Sequence, residues 1–318
     1  MNTQTKEPRN FRPQYHYTPQ QGWINDPNGL VYRDGTYHLF AQHCPDRNIW
    51  GPMHWIHATS QDLLTWKPEG VPLAPDEELG MIFSGSAIVD FGNTSGLAQN
   101  GNPMIAMFTH HGTCEQQSMA YSTDDIHFTK YAGNPIIPTK GQKDFRDPKV
   151  FENEIKHCKT AVIAAGDHVE FYASADFKAW RKTGEFGRKE NTQQWIFECP
   201  DLFPLTTIDG ITRWVLTASM IFPKETGGSR TLYYLGEFDG ETFRCTEQYE
   251  QRLMVDEGYD NYAAVTFNGT KECIQLGWAT SWTYANELPT QGYRGQMTCA
   301  RKLSLCTTPA GLRLAAAP

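Results

Sequence analysis

Residues 21–30 contain the stretch Gln21-Gly22-Trp23-Ile24-Asn25-Asp26-Pro27-Asn28-Gly29-Leu30, on which the interpretation of the whole sequence depends. Pro27 fixes φ near about −65° and Gly29 tolerates positive φ, so residues 25–29 predict a turn. The β-prone run Leu30-Val31-Tyr32 follows, which predicts that Asp26 lies at the end of a strand. A single stretch of this kind is more often an ordinary loop than a catalytic one. Asp26 is therefore a candidate catalytic residue only if other catalytic side chains lie close to it.

Two further acids stand in similar settings. Asp147 precedes a proline in Phe145-Arg146-Asp147-Pro148, and Glu198 lies between apolar residues in Phe197-Glu198-Cys199-Pro200. Each could belong to a simple turn or to a buried ion pair. Because the three acids are far apart in sequence, only an architecture that returns repeatedly to one point could bring them together.

An internal repeat indicates such an architecture. A polar Ser-x-Asp turn that ends in an aromatic residue occurs at residues 58–66, 121–128 and 172–180, and a looser copy occurs at 236–243. The closing aromatic residues are Trp66, Phe128, Trp180 and Phe243, which are 52 to 63 residues apart. A β-prone run precedes each copy, and residues 273–278 and 296–299 indicate a fifth unit. Four-stranded units repeated five times predict an all-β fold, a five-bladed β-propeller.

The acid motifs follow the same period. Asp26, Ser84, Asp147, Glu198 and Asp256 are separated by intervals of 51 to 63 residues. They are therefore expected at equivalent points of successive units. Since the innermost strand of every propeller blade faces the axis, these side chains should converge on one funnel.

Length and composition fit one β-rich domain. The chain has 318 residues, of which 39% are hydrophobic and 13% aromatic. We expect an N-terminal extension at 1–13, the propeller at 14–306, and a C-terminal tail at 307–318 without a core of its own. The formal net charge of −8 argues against a nucleic-acid partner, and no apolar run reaches the roughly 18 residues of a membrane span. Residues 1–10 lack the apolar core of a signal peptide, which predicts a cytoplasmic protein if Met1 is the native start, or a secreted one if a signal peptide was removed.

Cysteine and histidine patterns give no sign of a metal or a disulfide framework. The eight cysteines include no C-x-x-C pair, so we expect free buried thiols. His54 and His57 are three positions apart, and on a strand they would point to opposite faces. No metal and no organic cofactor is predicted.

The residues around the acids match the chemistry of a sugar. Carboxylates and Arg146, Gln42 and Asn25 offer hydrogen bonds to hydroxyl groups, while Trp50 and Trp282 offer apolar faces for a ring. Two carboxyl groups that flank a glycosidic bond can cleave it, one as an ionised nucleophile and the other as a proton donor. Glu198 has the longer reach and the more apolar neighbours, so it is assigned as the acid/base. Asp26, shorter and closely held, is assigned as the nucleophile.

Four motifs in this order resemble glycoside hydrolase family 32, the family of the invertases (β-fructofuranosidases), inulinases and levanases: Trp23-Ile24-Asn25-Asp26-Pro27-Asn28-Gly29, Phe83-Ser84-Gly85-Ser86, Phe145-Arg146-Asp147-Pro148 and Phe197-Glu198-Cys199-Pro200. The resemblance covers about residues 14 to 314. It implies a retaining mechanism in which Asp147 stabilises the transition state, and the release of terminal β-D-fructofuranosyl units from sucrose or short fructans. The fructose subsite that it implies is lined by Asn25, Gln42, Trp50, Phe83, Ser84, Arg146, Asp256 and Trp282. Family members usually carry a β-sandwich domain after the propeller, and we expect this chain to be without it.

Other functions share these features. A covalent fructosyl-enzyme could pass fructose to a sugar instead of water, which would make the protein a fructosyltransferase. A propeller could also bind sugar without cleaving it, although the intact acids Asp26, Asp147 and Glu198 disfavour that interpretation. A propeller glycosidase acting on arabinose-containing polymers is disfavoured by residues 23–29 together with Glu198-Cys199. A flank left exposed by the absent sandwich domain would favour a homo-oligomer.

Overall fold

The computed structural model describes residues 11–139, 141–188, 195–223, 228–246 and 253–318. In these ranges the regular secondary structure is almost entirely β-strand, and the one helical element is a short 3₁₀ turn at Ala285–Glu287. No helix in the described ranges has the length and apolarity that crossing a membrane requires. The strands are grouped into five sheets.

Each sheet is an antiparallel blade in which consecutive strands pair. The first two blades contain β1 (Gly22–Arg33), β2 (Thr36–Cys44), β3 (His54–Ser60) and β4 (Lys67–Leu73), then β5 (Met81–Val89), β6 (Met104–His111), β7 (Glu115–Ser122) and β8 (Thr129–Lys130). The third and fourth contain β9 (Phe145–Asn153), β10 (Cys158–Ala165), β11 (Val169–Ser174) and β12 (Arg181–Phe186), then β13 (Glu198–Thr206), β14 (Thr212–Ile221), β15 (Ser229–Phe238) and β16 (Phe243–Cys245), with β17 (Leu253–Met254) beside β15. The fifth contains β18 (Tyr262–Thr266), β19 (Ile274–Trp278), β21 (Arg301–Thr308) and β22 (Gly311–Ala317), while β20 (Tyr293–Arg294) pairs with β1.

The first strands of the five blades form the inner ring. β1 contacts β5, β5 contacts β9, β9 contacts β13, β13 contacts β18, and β18 contacts β1 again. The predicted five-bladed β-propeller is therefore confirmed. β20 lies between β19 and β21 in the chain. It pairs in parallel with β1 at Gly22 and Trp23 and so connects the last blade to the first. Asn268 adds backbone hydrogen bonds to Leu30 and Tyr32 on the same side.

The C-terminal residues belong to the propeller. β22 pairs with β21 along its whole length, from Thr308 opposite Gly311 to Lys302 opposite Ala317. The expectation of a separate tail at 307–318 is therefore wrong, because Leu312 on β22 is buried against the fourth and fifth blades. Residues 1–10 of the expected N-terminal extension lie outside the described ranges, and Tyr17 is already part of the core.

The hydrophobic core lies between the blades. Five clusters fill the five interfaces, and each contains buried aromatic side chains. Trp23 and Trp278 pack between the first and fifth blades with ring centroids 5.7 Å apart. Trp55 and Phe108 do the same between the first and second blades at 5.9 Å. The high aromatic content of the sequence therefore supplies flat, large side chains to wedge-shaped gaps between twisted sheets.

The repeated Ser-x-Asp motif forms the same turn in successive blades. The serine hydroxyl donates to the aspartate, and the aspartate accepts backbone N–H groups two and three residues further on. In the first blade, Asp62 accepts from the backbone of Leu64 at 2.9 Å and of Thr65 at 2.7 Å. The equivalent aspartates are Asp124, Asp176 and, in the looser copy, Asp239. The predicted hairpins between the third and fourth strands are thus confirmed.

The predicted turn at residues 25–29 is wrong. Gly22–Arg33 is one continuous strand, and the pairing of β1 with β2 shifts register between Ile24 and Pro27. The other four inner strands carry a register shift at the equivalent place, next to Ser84, Asp147, Glu198 and Ala263. A bulge bends a strand and changes the direction of its side chains without ending it. The proline and glycine that indicated a turn serve this bulge instead.

Buried polar side chains fill the channel beyond the bulges. Lys149 on β9 donates to the Thr266 carbonyl at 2.5 Å and lies 3.2 Å from Oδ2 of Asp201 on β13. Asp201 also accepts from the backbone N–H of Thr266 at 2.6 Å. Asn268 donates to the carbonyls of Ala87 and Val150. These contacts join four blades across the axis.

Replacement of Lys149 by methionine is expected to destabilise the protein by about 3–5 kcal/mol. The substitution leaves the fully buried Asp201 carboxylate without its cation, and the other hydrogen bonds cannot replace that charge. The midpoint of urea unfolding measures the loss. Lys302→Met is the matched control, because its pair with Glu272 is half exposed and is worth at most about 1 kcal/mol. Equal midpoints for the two variants would contradict the prediction.

All eight cysteines are free thiols, as predicted. Only Cys44 and Cys199 are buried, so the expectation of burial is wrong for the other six. Cys199 alone lies among the candidate catalytic residues.

Candidate active site

A cavity of about 350 Å³ opens where the five inner strands converge. It is lined by residues from the first four blades and by the Trp282 loop of the fifth. The lining comprises Asn25, Asp26, Gln42, Trp50, Phe83, Ser84, His111, Glu115, Arg146, Asp147, Glu198, Ile221 and Trp282. The structure thus brings together ten of the eleven residues that the sequence predicted for one site.

Asp26 is held at the first bulge. Its Oδ2 accepts a hydrogen bond of 2.7 Å from the Ser84 hydroxyl of the neighbouring blade. Its Oδ1 is shielded from solvent and has no hydrogen-bond partner in the described part of the chain. A buried carboxylate oxygen normally accepts hydrogen bonds. The unpartnered Oδ1 of Asp26, beside the cavity, is therefore available to interact with a ligand atom.

Asp147 lies beside Asp26 with a strained backbone. Its φ is 63°, a region that costs a non-glycine residue of order 1–3 kcal/mol. The backbone N–H of Cys199 donates to Asp147 Oδ2 at 2.9 Å, and Cys199 itself has a φ of 45°. The Cys199 Sγ lies 3.5 Å from Asp26 Oδ2 and 3.6 Å from Asp147 Oδ2. Cys199 therefore spaces the two aspartates and orients one of them.

Glu198 is held by both of its oxygens. Arg146 Nη2 donates to Oε1 at 2.9 Å, and the Tyr262 hydroxyl donates to Oε2. Tyr262 is fully buried on β18, while the Glu198 side chain is 20% exposed. Glu198 therefore keeps one orientation at the edge of the cavity while remaining accessible to a ligand.

Aromatic and amide side chains complete the walls. Trp282 stacks on the buried Trp23 with ring centroids 5.8 Å apart and planes at 22°. The Trp23 indole N–H also donates to Asn25 Oδ1 at 2.8 Å, which fixes the orientation of that amide. On the opposite side, Trp50 meets Phe83 edge-on at 5.8 Å. The cavity thus combines flat apolar faces with oriented polar groups.

Asp256 is the predicted site residue that does not line the cavity. Its carboxylate forms an ion pair with Arg301 on β21 and accepts the backbone N–H of Gly258. The physical reason is the position of the fifth bulge, which follows Tyr262 and leaves Asp256 in the preceding loop. Tyr262 takes the equivalent position in the site.

Sequence reasoning also missed His111, Glu115 and Ile221 on the cavity wall. His111 and Glu115 end one hairpin, and Ile221 ends β14. Their signal was weak because each lies at the end of a strand, outside the repeated motifs. The cluster of His110, His111 and Glu115 at the end of a β-prone run was the feature that could have drawn attention to this hairpin.

Burial dominates the electrostatics of the aspartates. Burial raises the pKa of Asp26, and the hydrogen bond from Ser84 opposes this rise. Burial likewise raises the pKa of Asp147 to about 8, against the opposing charge of Arg146. Burial alone would lower the pKa of Arg146, but the charges of Glu198, Asp147 and Glu115 raise it above its usual range. Arg146 is thus a permanent cation among acids, and Asp147 holds a proton over much of the neutral range.

The raised pKa of Asp147 predicts a stability effect. An aspartate whose pKa is about 8 in the folded state and 3.8 unfolded contributes stability that is fully present below about pH 4 and is lost as pH rises through 8. Asp147→Asn removes this dependence, so its melting temperature should exceed that of the parent protein by on the order of 5 °C at pH 8. The difference should shrink towards pH 4. Asp209→Asn, at an exposed turn, is the control and should show no such trend.

The cavity contains one buried carboxyl group and one that is more exposed. Asp26 presents an unpartnered oxygen, and Glu198 presents a fixed carboxyl group nearer the cavity mouth. Between them, Arg146, Asp147 and the amides can hold several hydroxyl groups at once. Such an arrangement fits cleavage of a bond to a small, hydroxyl-rich ring.

Comparison with known proteins shows what this chain is similar to. A levanase of Bacillus subtilis (strain 168) is 44% identical over 319 residues, which cover 97% of this chain and 47% of the levanase. An extracellular exo-inulinase of Aspergillus ficuum is 39% identical over 336 residues, covering 93% of this chain and 62% of that protein. The structure of a fructofuranosidase from Schwanniomyces occidentalis complexed with fructose is similar with a TM-score of 0.88 and 33% identity, covering 96% of this chain and 63% of the other.

The chain therefore spans about half to two thirds of the length of these relatives. The sequence profile described as "Glycosyl hydrolases family 32 N-terminal domain" matches residues 16–318, almost the whole chain. With the propeller and the converging acids, this match shows that the chain belongs to glycosyl hydrolase family 32 and comprises its N-terminal domain.

Proposed function

We propose that this domain releases terminal β-D-fructofuranosyl residues from sucrose or fructans by a retaining mechanism. The observation that carries the proposal is the shielded, unpartnered Oδ1 of Asp26, which lines the same cavity as the doubly held Glu198 carboxyl group. The levanase and the exo-inulinase among its relatives support a fructan as substrate. The extracellular relative also favours action outside the cell.

The first step transfers fructose to the enzyme. Asp26 Oδ1 forms a bond to the anomeric carbon while the bond from that carbon to the leaving oxygen breaks. Glu198 gives its proton to that oxygen, so a neutral alcohol departs. Positive charge that develops on the ring is stabilised by the surrounding carboxylates.

The second step returns the enzyme to its starting state. The Glu198 carboxylate takes a proton from water, and the water oxygen attacks the anomeric carbon as its bond to Asp26 breaks. Two displacements give net retention of configuration. Asp147 contacts hydroxyl groups of the ring: when protonated it can donate one hydrogen bond and accept others.

The proposal is tested by product analysis. The protein is incubated with sucrose, raffinose, inulin and levan, and released sugars are identified by chromatography. The anomer that forms first is followed by NMR, and β-fructofuranose is expected. Free fructose should appear from the start, whereas a fructosyltransferase would yield glucose from sucrose with fructose mostly in longer saccharides. Early α-anomer, or sugar binding without turnover on all four substrates, would contradict the proposal.

Asp147→Asn is expected to lower kcat by on the order of 10² to 10³-fold. The ionised fraction of Asp147 supplies negative charge to the transition state, and the amide has no ionised form, although it can still accept the Cys199 N–H. Steady-state kinetics on sucrose measures the change. A rate within a factor of three of the parent protein would remove Asp147 from the mechanism.

A further inference from the structure

One hairpin on the cavity wall is not explained by the chemistry of the three acids. β6 ends at His111 and β7 begins at Glu115, and these two residues face each other across the hairpin. Both line the cavity. They lie outside the motifs that identify the catalytic residues, so their role has to be derived from their contacts.

The His111 ring is held in one orientation. Its Nδ1 lies 3.2 Å from Glu115 Oε1, and its plane stacks on Phe83 with centroids 4.2 Å apart at 8°. Glu115 is itself fixed, because both of its oxygens lie 3.2 Å from Arg146 Nη1. An ionised carboxylate only accepts hydrogen bonds, so Nδ1 carries the hydrogen and Nε2 is the nitrogen available to a ligand.

His111 lies near the mouth of the cavity. Exposure increases outward from Asp147, which is 6% exposed, through the Glu198 side chain at 20% to the His111 side chain at 36%. A terminal fructosyl ring against Asp26 and Asp147 occupies the floor. The oxygen that Glu198 protonates then points outward, and the sugar attached to it lies at the level of His111.

We propose that His111 determines specificity by hydrogen bonding a hydroxyl group of the sugar that leaves. The inference rests on the proposed function, since it needs a fructosyl ring on the cavity floor. Glu115 positions His111 and connects it to Arg146, so recognition of the leaving sugar and orientation of Glu198 share one network.

Charge favours a neutral saccharide at this place. Among the described cavity residues, the basic side chains are Arg146 and His111. Arg146 is already engaged by Glu115, Asp144 and Glu198. An anionic leaving group would therefore meet carboxylates with no unengaged arginine or lysine from that set, whereas a neutral hydroxyl can use the imidazole nitrogen.

His111→Phe is the test, because phenylalanine preserves the stack on Phe83 and removes the nitrogen atoms. The quantity measured is the ratio of kcat/KM for sucrose to that for methyl β-D-fructofuranoside, whose leaving group has no further hydroxyl. This ratio should fall about tenfold, the effect of one lost hydrogen bond. His111→Gln should recover part of it. His127→Phe is the matched control: it removes a histidine paired with Asp124 at 2.7 Å on an exposed turn of the same blade.

The outcomes separate the two proposals. A ratio that is unchanged in His111→Phe, or equal losses on both substrates, overturns the role of His111. A fall of the same size in His127→Phe also overturns it. If the parent protein hydrolyses neither of these substrates and also releases no fructose from raffinose, inulin or levan, the proposed function itself fails, whatever His111 contacts. Melting temperatures close to that of the parent protein establish that the variants are folded.

Discussion

Asp26→Asn is expected to lower the rate of sucrose hydrolysis by about 10⁵-fold while the protein remains folded. The amide has almost the same shape and can still accept the hydrogen bond from Ser84 at its oxygen. It cannot form the covalent bond to the anomeric carbon. Because both displacements pass through that bond, no other described group in the cavity can take over its role.

The measurement combines kinetics with binding. Single-turnover hydrolysis of sucrose gives the rate, and calorimetric titration with fructose tests whether the cavity still binds sugar. Asp34→Asn is the matched control, since this aspartate is 90% exposed on the β1–β2 turn and should leave both quantities unchanged. Turnover by Asp26→Asn within tenfold of the parent protein would remove Asp26 as the nucleophile.

Glu198→Gln is expected to lower kcat for sucrose by about 10³-fold. The effect should depend on the leaving group, because a nitrophenolate departs without a proton whereas glucose does not. On p-nitrophenyl β-D-fructofuranoside the variant should release a burst of nitrophenol and then stall, since no base activates water for the second step. Intact-protein mass spectrometry should detect the accumulated fructosyl-enzyme.

The experiment on Glu198→Gln also includes azide as an external nucleophile and a surface variant as a control. Azide needs no general base, so it should restore turnover of the nitrophenyl substrate and give a fructosyl azide. Glu237→Gln, whose side chain is 59% exposed on the outer part of the fourth blade, should behave like the parent protein. A nitrophenol burst that is slowed as much as the hydrolysis of sucrose would contradict the assignment of Glu198 as acid/base.

The repeat carried most of the information about the fold. Trp66, Phe128, Trp180 and Phe243 follow turns whose hydrogen bonds are local, so their spacing reveals the blades directly. The convergence of Asp26, Asp147 and Glu198 then follows from ring geometry. These features are predictable because each depends on short-range chemistry repeated at a fixed period.

Features set by several blades at once were not predictable in this way. Asn25–Gly29 has the composition of a turn, yet pairing with β2 on one side and contact with β5 on the other keep it extended as a bulge. The last strand was missed although Leu312 and Leu314 flank the charged Arg313, because such a short alternation is followed by an alanine-rich end.

Tyr262 and Asp256 show where prediction from the intervals between motifs fails. Asp256 lies 58 residues after Glu198 and Tyr262 lies 64 residues after it, so the spacing of the motifs selected Asp256, whereas Tyr262 is the residue that contacts Glu198. His111 and Glu115 were missed for another reason. Of their partners, Phe83 lies on the adjacent strand of the same blade, and Arg146 lies on the next blade. Both are distant in sequence from His111 and Glu115, so these contacts leave no local pattern in the sequence.

The polar plug formed by Lys149, Asp201 and Thr266 has a consequence for long substrates. Beyond the acids the axis narrows to a space of about 10 Å³, room for roughly one water molecule. The described residues therefore leave no passage along the axis that is wide enough for a polysaccharide. Under the proposed function, a fructan would enter by one chain end, and the released fructose would leave through the opening by which the chain entered. Release of the product would then compete with binding of the next chain.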